Sequence, residues 1–206
     1  MSVARLLQLA SPALPIGAYS YSQGLEAAVE AGIVTDAASA QEWIGDVLEF
    51  SVARMEVPVL RAQMSEPTQA RNDFFIATRE TAELRAETLQ MGHSLAKLLA
   101  DLGIVVPIEQ PALPTTYACA ARAWDIAQHE AAVAYLWGWL ENQVMAALKS
   151  VPLGQTAGQK ILLALGNRLE PIARAQLKEA QWFNFAPGLA FLSARHETQY
   201  SRLFRS

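Results

Sequence analysis

The chain carries a single cysteine, Cys119, among its 206 residues. One thiol closes no internal disulfide and supplies no multi-cysteine zinc site, which fits a reducing, cytoplasmic setting. Long apolar runs are missing as well. The longest, Ala131 to Leu140, stops at Glu141 and falls well short of the ~20 residues that cross a bilayer. At the N-terminus Leu6, Leu7 and Leu9 follow Arg5 in the manner of a secretory leader. Gln8, Ser11, Pro12 and Pro15 interrupt that apolar core, so the stretch reads as an ordinary helix. Charge is scarce at 17%, against roughly a quarter in average soluble domains. The net charge of -4 offers no overall attraction to a phosphate backbone, which argues against nucleic-acid binding. No internal repeat, low-complexity segment or sheet-like alternation of apolar residues is present.

What the chain does have is apolar surface, at 52% hydrophobic residues, arranged with helical spacing nearly throughout. The expected fold is all-α, a single-domain helical bundle spanning residues 1–206, with proline-rich connectors and a flexible C-terminal tail. Leu84, Met91, Leu95, Leu98, Leu99 and Leu102 follow one helical face that closes at Gly103. Ser39 and Glu42 have capping-box spacing, and Trp43, Ile44, Val47 and Leu48 extend that helix to about Met55, with a bend near Pro58. The segment from His129 to Lys149 is apolar on most of its circumference and should be central. Pro107, Pro111 and Pro114 mark residues 104–116 as a loop. Pro171 divides a helix over 157–169 from another over 171–181. Near the start, Pro15 and Gly17 form an irregular connector, Ser20 and Gln23 have capping spacing, and a short helix ends at Gly32.

Several motifs resemble active-site chemistry without completing it. Ser94 and Lys97 have the spacing of penicillin-recognising enzymes but lack their companion motifs. From Gly154 to Lys160 the chain suggests a phosphate loop. It has three residues between its glycines instead of four, Gln159 before the lysine, and no Ser or Thr after it to hold magnesium. His93, His129 and His196 form no chelating pair within the chain, which leaves a site shared across a dimer axis, with His196 beside Glu197 as the candidate ligand.

The segment from Ala194 to Ser206 is unusual for a chain end. Arg195, Arg202 and Arg205 offer forked donors for carboxylates, and Tyr200 and Phe204 offer large apolar faces. It reads either as a segment held by a partner or as a last helical turn with a solvated basic end.

Four stretches in order, SPALPIGAYSYSQGLEAAVEAG (Ser11 to Gly32), RETAELRAETLQMGHSL (Arg79 to Leu95), PLGQTAGQKIL (Pro152 to Leu162) and HETQYSRLFRS (His196 to Ser206), closely resemble the UreF family of urease accessory proteins. The resemblance covers essentially the whole chain. It implies a non-catalytic helical protein that dimerises and joins UreD (also called UreH) to the GTPase UreG, in the complex that inserts nickel into apo-urease. By the same resemblance, Arg195, His196, Tyr200, Ser201, Arg202 and Phe204 would face UreD, and Gln155, Gln159 and Lys160 would face UreG. Nickel and GTP would be handled by the partners, with no cofactor bound by this chain. The alternatives are a chaperone that binds nickel directly, or a small helical hydrolase using Tyr19, Ser20, Tyr21 and Ser22, for which no base is evident nearby.

Overall fold

A computed structural model describes residues 3–179 and 181–206. Its helices are α1 (Val3–Ala10), α2 (Leu25–Glu30), α3 (Ala37–Val47), α4 (Ala53–Ser65), α5 (Gln69–Ala77), α6 (Ala82–Asp101), α7 (Leu113–Ala123), α8 (Gln128–Ser150), α9 (Gln155–Gln176) and α10 (Pro187–His196). The fold is all-α, with no strand among the described residues.

Helix α8 is central, as its apolar circumference requires: it packs on α9, α1, α2 and α4. Ala131, Ala132, Ala134, Ala146 and Ala147 are buried along it and let neighbours approach closely, while Tyr135, Leu136 and Leu140 fill the core. One hydrophobic cluster runs from Leu9 to Phe204, and a smaller one joins Met55, Val59, Phe75 and Ala112. Helix α6 ends with Gly103 at a φ of 77°, the left-handed closure its sequence indicates. Where α6 meets the start of α7, a Cβ on Gly92 would lie 2.0 Å from the Pro111 carbonyl oxygen, so only glycine fits.

The prolines behave differently from their sequence reading. Pro114 lies in the first turn of α7, where the N–H it lacks would have had no intrahelical partner, so the loop ends at Ala112 and a helix over 113–123 takes its place. Pro171 lies inside α9, which runs unbroken to Gln176; the carbonyl it leaves free, on Asn167, is on the exposed side. Pro58 lies inside α4. The carbonyl it orphans, Arg54 O, accepts instead from the Phe183 N–H at 3.3 Å. The departure from regular α-helix comes earlier, in a π-helical turn at Leu48–Val52.

Two caps also move. Asp36, not Ser39, caps α3: its Oδ1 accepts from the Ser39 N–H at 2.8 Å, and the Ser39 hydroxyl accepts from the Asp36 N–H at 3.1 Å. These bonds from Ser39 hold the Asp36 carboxyl below its usual range. Helix α2 starts at Leu25 because Gln23 and Gly24 have φ values of 52° and 79°, and Ser22 rather than Ser20 accepts from its first turn, at the Glu26 N–H.

Candidate functional site

The C-terminal segment is built into the body and is not a free tail. Three acidic side chains, Glu26 on α2 and Glu83 and Glu87 on α6, hold it from below. Glu26 accepts the backbone N–H of Leu203 at 2.6 Å and of Phe204 at 3.0 Å. Glu83 accepts from Arg202 at 2.6 Å. The ring of His196, fully buried, lies between the two carboxylates, with Nδ1 2.6 Å from Glu83 and Nε2 3.2 Å from Glu26. Glu197 in turn accepts the first N–H groups of α6, from Ala82 and Glu83, and so supplements the Thr81 cap of that helix.

The last residue closes the arrangement. The Ser206 backbone oxygen accepts from the Ser22 N–H, the Gln23 N–H and the Ser22 hydroxyl at 2.8, 3.1 and 2.6 Å, and its own hydroxyl donates to Glu87 at 2.6 Å. The positive φ at Gln23 is what aims two successive N–H groups at one oxygen. Phe204 is buried beneath, with the Lys149 ammonium 5.6 Å from its ring centroid.

Below this junction runs a buried polar network. The Gln23 amide donates to Glu87 and its carbonyl accepts from the Trp139 indole, both at 2.6 Å. Burial pushes the Glu87 carboxyl up to about 7, and the bonds from Ser206 and Gln23 only partly oppose it. Deeper in, Glu56 pairs with Arg79 at 3.3 Å and accepts from Tyr135. Burial raises the Glu56 carboxyl despite Arg79 beside it. Burial opposes the charge on Arg79, but Glu56, Glu80 and Glu87 around it hold its pKa above the ordinary value. A cavity of about 220 Å³ lies beside the network, lined by Glu56, Glu87, Met91, Tyr135 and Trp139.

Of the tail residues singled out by sequence, the structure turns His196 and Phe204 inward and leaves Arg195, Tyr200, Ser201 and Arg202 on the surface. Tyr200 is as exposed as a residue can be, at 104% of its reference area. Gln155, Gln159 and Lys160 all lie exposed on the first two turns of α9. A buried His196 with both nitrogens engaged does not project toward a symmetry mate, as a shared ligand at a dimer axis must. Among the described residues, no three His, Cys, Asp or Glu side chains converge as a metal site would require. Ser22, of the polar run from Tyr19 to Ser22, is buried and spends its hydroxyl on Ser206. Burial raises the Cys119 thiol to about 11, which leaves it an unreactive core group.

The sequence reading missed Glu26, Glu83 and Glu87. A signal existed for one of them: Glu87 stands between Leu84 and Met91 on the apolar face of α6, where an acid has no place unless something pairs with it.

Comparison with known proteins gives a consistent picture. The family model described as UreF matches residues 34–166. A urease accessory protein UreF from Azoarcus sp. (strain BH72) is 55% identical, over 98% of this chain and 94% of the relative. Another, from Dechloromonas aromatica (strain RCB), is 50% identical over 100% of this chain and 98% of the relative.

Proposed function

The chain belongs to the UreF family of urease accessory proteins, and from that premise we propose that it is a non-catalytic scaffold in urease maturation. In this reading it forms a single working unit, dimerises in the cytoplasm, and bridges UreD (UreH) to the GTPase UreG in the complex that delivers nickel to apo-urease. Nickel and GTP stay with the partners.

The observation that supports it is the division of the C-terminal segment into two faces. His196, Phe204 and Ser206 are spent on anchoring and the exposed Arg202 is paired with Glu83, while Arg195, Tyr200 and Leu203 are left outward on a backbone already fixed in place. A fixed aromatic and guanidinium surface loses little entropy on binding, and Tyr and Arg are the residue types that dominate interface energetics. We assign this face to UreD and the exposed first turns of α9, with Gln155, Gln159 and Lys160, to UreG. Gel filtration of the purified chain with UreD, then with UreG added, tests the assignment. Tyr200→Ala should lose UreD while staying folded, and Lys160→Ala should keep UreD but lose UreG. Co-elution of both variants with both partners at unchanged affinity would overturn it.

A further inference from the structure

On the side of α8 away from the C-terminal segment, α1, α8 and α9 border a groove of about 580 Å³. Its walls are apolar: Leu6 and Leu7 come from α1, Pro12 from the following loop, Val133 and Trp137 from α8, and Leu169 from α9. Leu7 is 64% exposed at the lip. Trp137 packs closely on α9 at Gly166, where a Cβ would come within 3.2 Å of the indole ring. A partly buried tryptophan flanked by aliphatic side chains is the composition of an interface centre.

The rim is acidic. Glu130, Glu141 and Glu170 line the groove. Glu170 has its own partners, the His129 ring at 3.2 Å and the Arg174 guanidinium at 3.9 Å. Glu130 and Glu141 have no ion pair among the described residues; Glu141 accepts a hydrogen bond from Trp137, which only partly offsets the burial that raises its carboxyl, and one Glu130 carboxylate oxygen is shielded from solvent without a hydrogen-bond partner. Glu130, Val133, Trp137 and Glu141 succeed one another on one face of α8 at helical spacing, so the acids flank the apolar strip at both ends.

We propose that this groove is a docking site for a basic amphipathic helix of a partner protein, whose apolar residues would lie on Trp137 and Leu7 and whose lysines or arginines would reach Glu130 and Glu141. Charge decides the occupant. A second copy of this chain placed symmetrically on the groove would bring Glu130 and Glu141 of both copies to one seam, and like charges opposed in a partly desolvated interface are unfavourable. A helix with a basic polar edge relieves them instead, in the helix-in-groove mode of recognition.

The test uses fluorescence anisotropy with a labelled synthetic helix, leucine on one face and lysine on the other, and its glutamate-for-lysine counterpart. The assay contains neither UreD nor UreG, so its failure leaves the reading of the C-terminal face untouched. The lysine peptide should bind the full chain and the glutamate peptide should not. Leu7→Ser, an exposed change that spares the core, and the double change Glu130→Gln, Glu141→Gln should each weaken binding by about tenfold. Unchanged melting curves would show both variants folded. No binding by the lysine peptide, or equal binding by wild type and both variants, overturns the proposal. So does a wild-type dimer that Leu7→Ser converts to monomer, since the groove would then belong to a second copy.

Discussion

Glu26 and Phe204 are 178 residues apart in the chain, yet the Phe204 N–H donates to the Glu26 carboxylate at 3.0 Å. The other oxygen of that carboxylate takes the N–H of Leu203. A backbone held this way has its direction fixed independently of the side chains it displays. Docking and display thus become separable properties of one short segment, and they can be changed independently.

Phe204→Ala should lower stability by about 3 kcal/mol, the usual loss for a buried phenylalanine, because its ring is only 6% exposed. Tyr200→Ala should leave stability within about 0.5 kcal/mol yet cost about 2 kcal/mol of UreD affinity. Urea denaturation gives the two stability changes, and titration with UreD gives the affinity change.

Deleting residues 197–206 should destabilise the whole bundle as well as remove a binding face. The deletion removes Phe204, the Glu197 cap on α6 and the partners of Glu26, Glu87 and Ser22, and so strands buried acceptors on the two glutamates and buried donors on Ser22. A truncated chain that melts at the wild-type temperature would contradict this.

Glu87 sets a pH dependence whose sign follows from its environment. Its folded pKa is about 7, raised from 4.5, so the native state binds this proton more tightly than the unfolded chain. The associated stability is fully present below about pH 4.5 and is lost as pH rises through 7, amounting to about 3 kcal/mol at most. Glu87→Gln keeps an acceptor for Gln23 and can donate to Ser206 without ever ionising. Wild type should therefore lose stability relative to the variant between pH 5 and about 8, as read from urea midpoints across that range. Parallel curves would show that Glu87 does not titrate there.

Much of the architecture was legible because it is local. The spacing from Leu84 to Leu102 gave α6 and its glycine closure, and the apolar circumference of α8 gave its central place. The prolines misled because their effect depends on surroundings: Pro58 is accommodated by an N–H from Phe183, far along the chain. The anchored tail was illegible for the same reason. Arg202 looks free in sequence, and only folding places Glu83 beneath it. Residues that merely face outward, such as Tyr200 and Lys160, were within reach of sequence because exposure requires no partner.

Gly92→Ala tests the α6 and α7 contact. The added methyl would collide with backbone at Pro111, Ala112 and Leu113, none of which can swing aside as a side chain would. Thr116 also donates to the Gly92 carbonyl at 3.2 Å, tying the two helices at that point. The expected loss is about 3 kcal/mol. Near-wild-type melting would mean that α7 can slide along α6.

Lys160→Ala separates stability from function at the other end of the molecule. Lys160 is exposed on α9 and makes no ion pair among the described residues, so its removal should change stability by less than about 0.5 kcal/mol. The sequence around it departs from a phosphate loop: the glycine spacing is one residue short and Ile161 stands where a magnesium-holding hydroxyl is needed. Calorimetry with GTP and magnesium should accordingly give no heat of binding with wild type or variant. In an activation assay reconstituted with UreD, UreG and apo-urease, the variant should be impaired if, as proposed, the lysine faces a GTPase held by the scaffold. Normal activation by Lys160→Ala would remove α9 from the UreG face, and GTP binding by the isolated chain would overturn the division of labour between scaffold and GTPase.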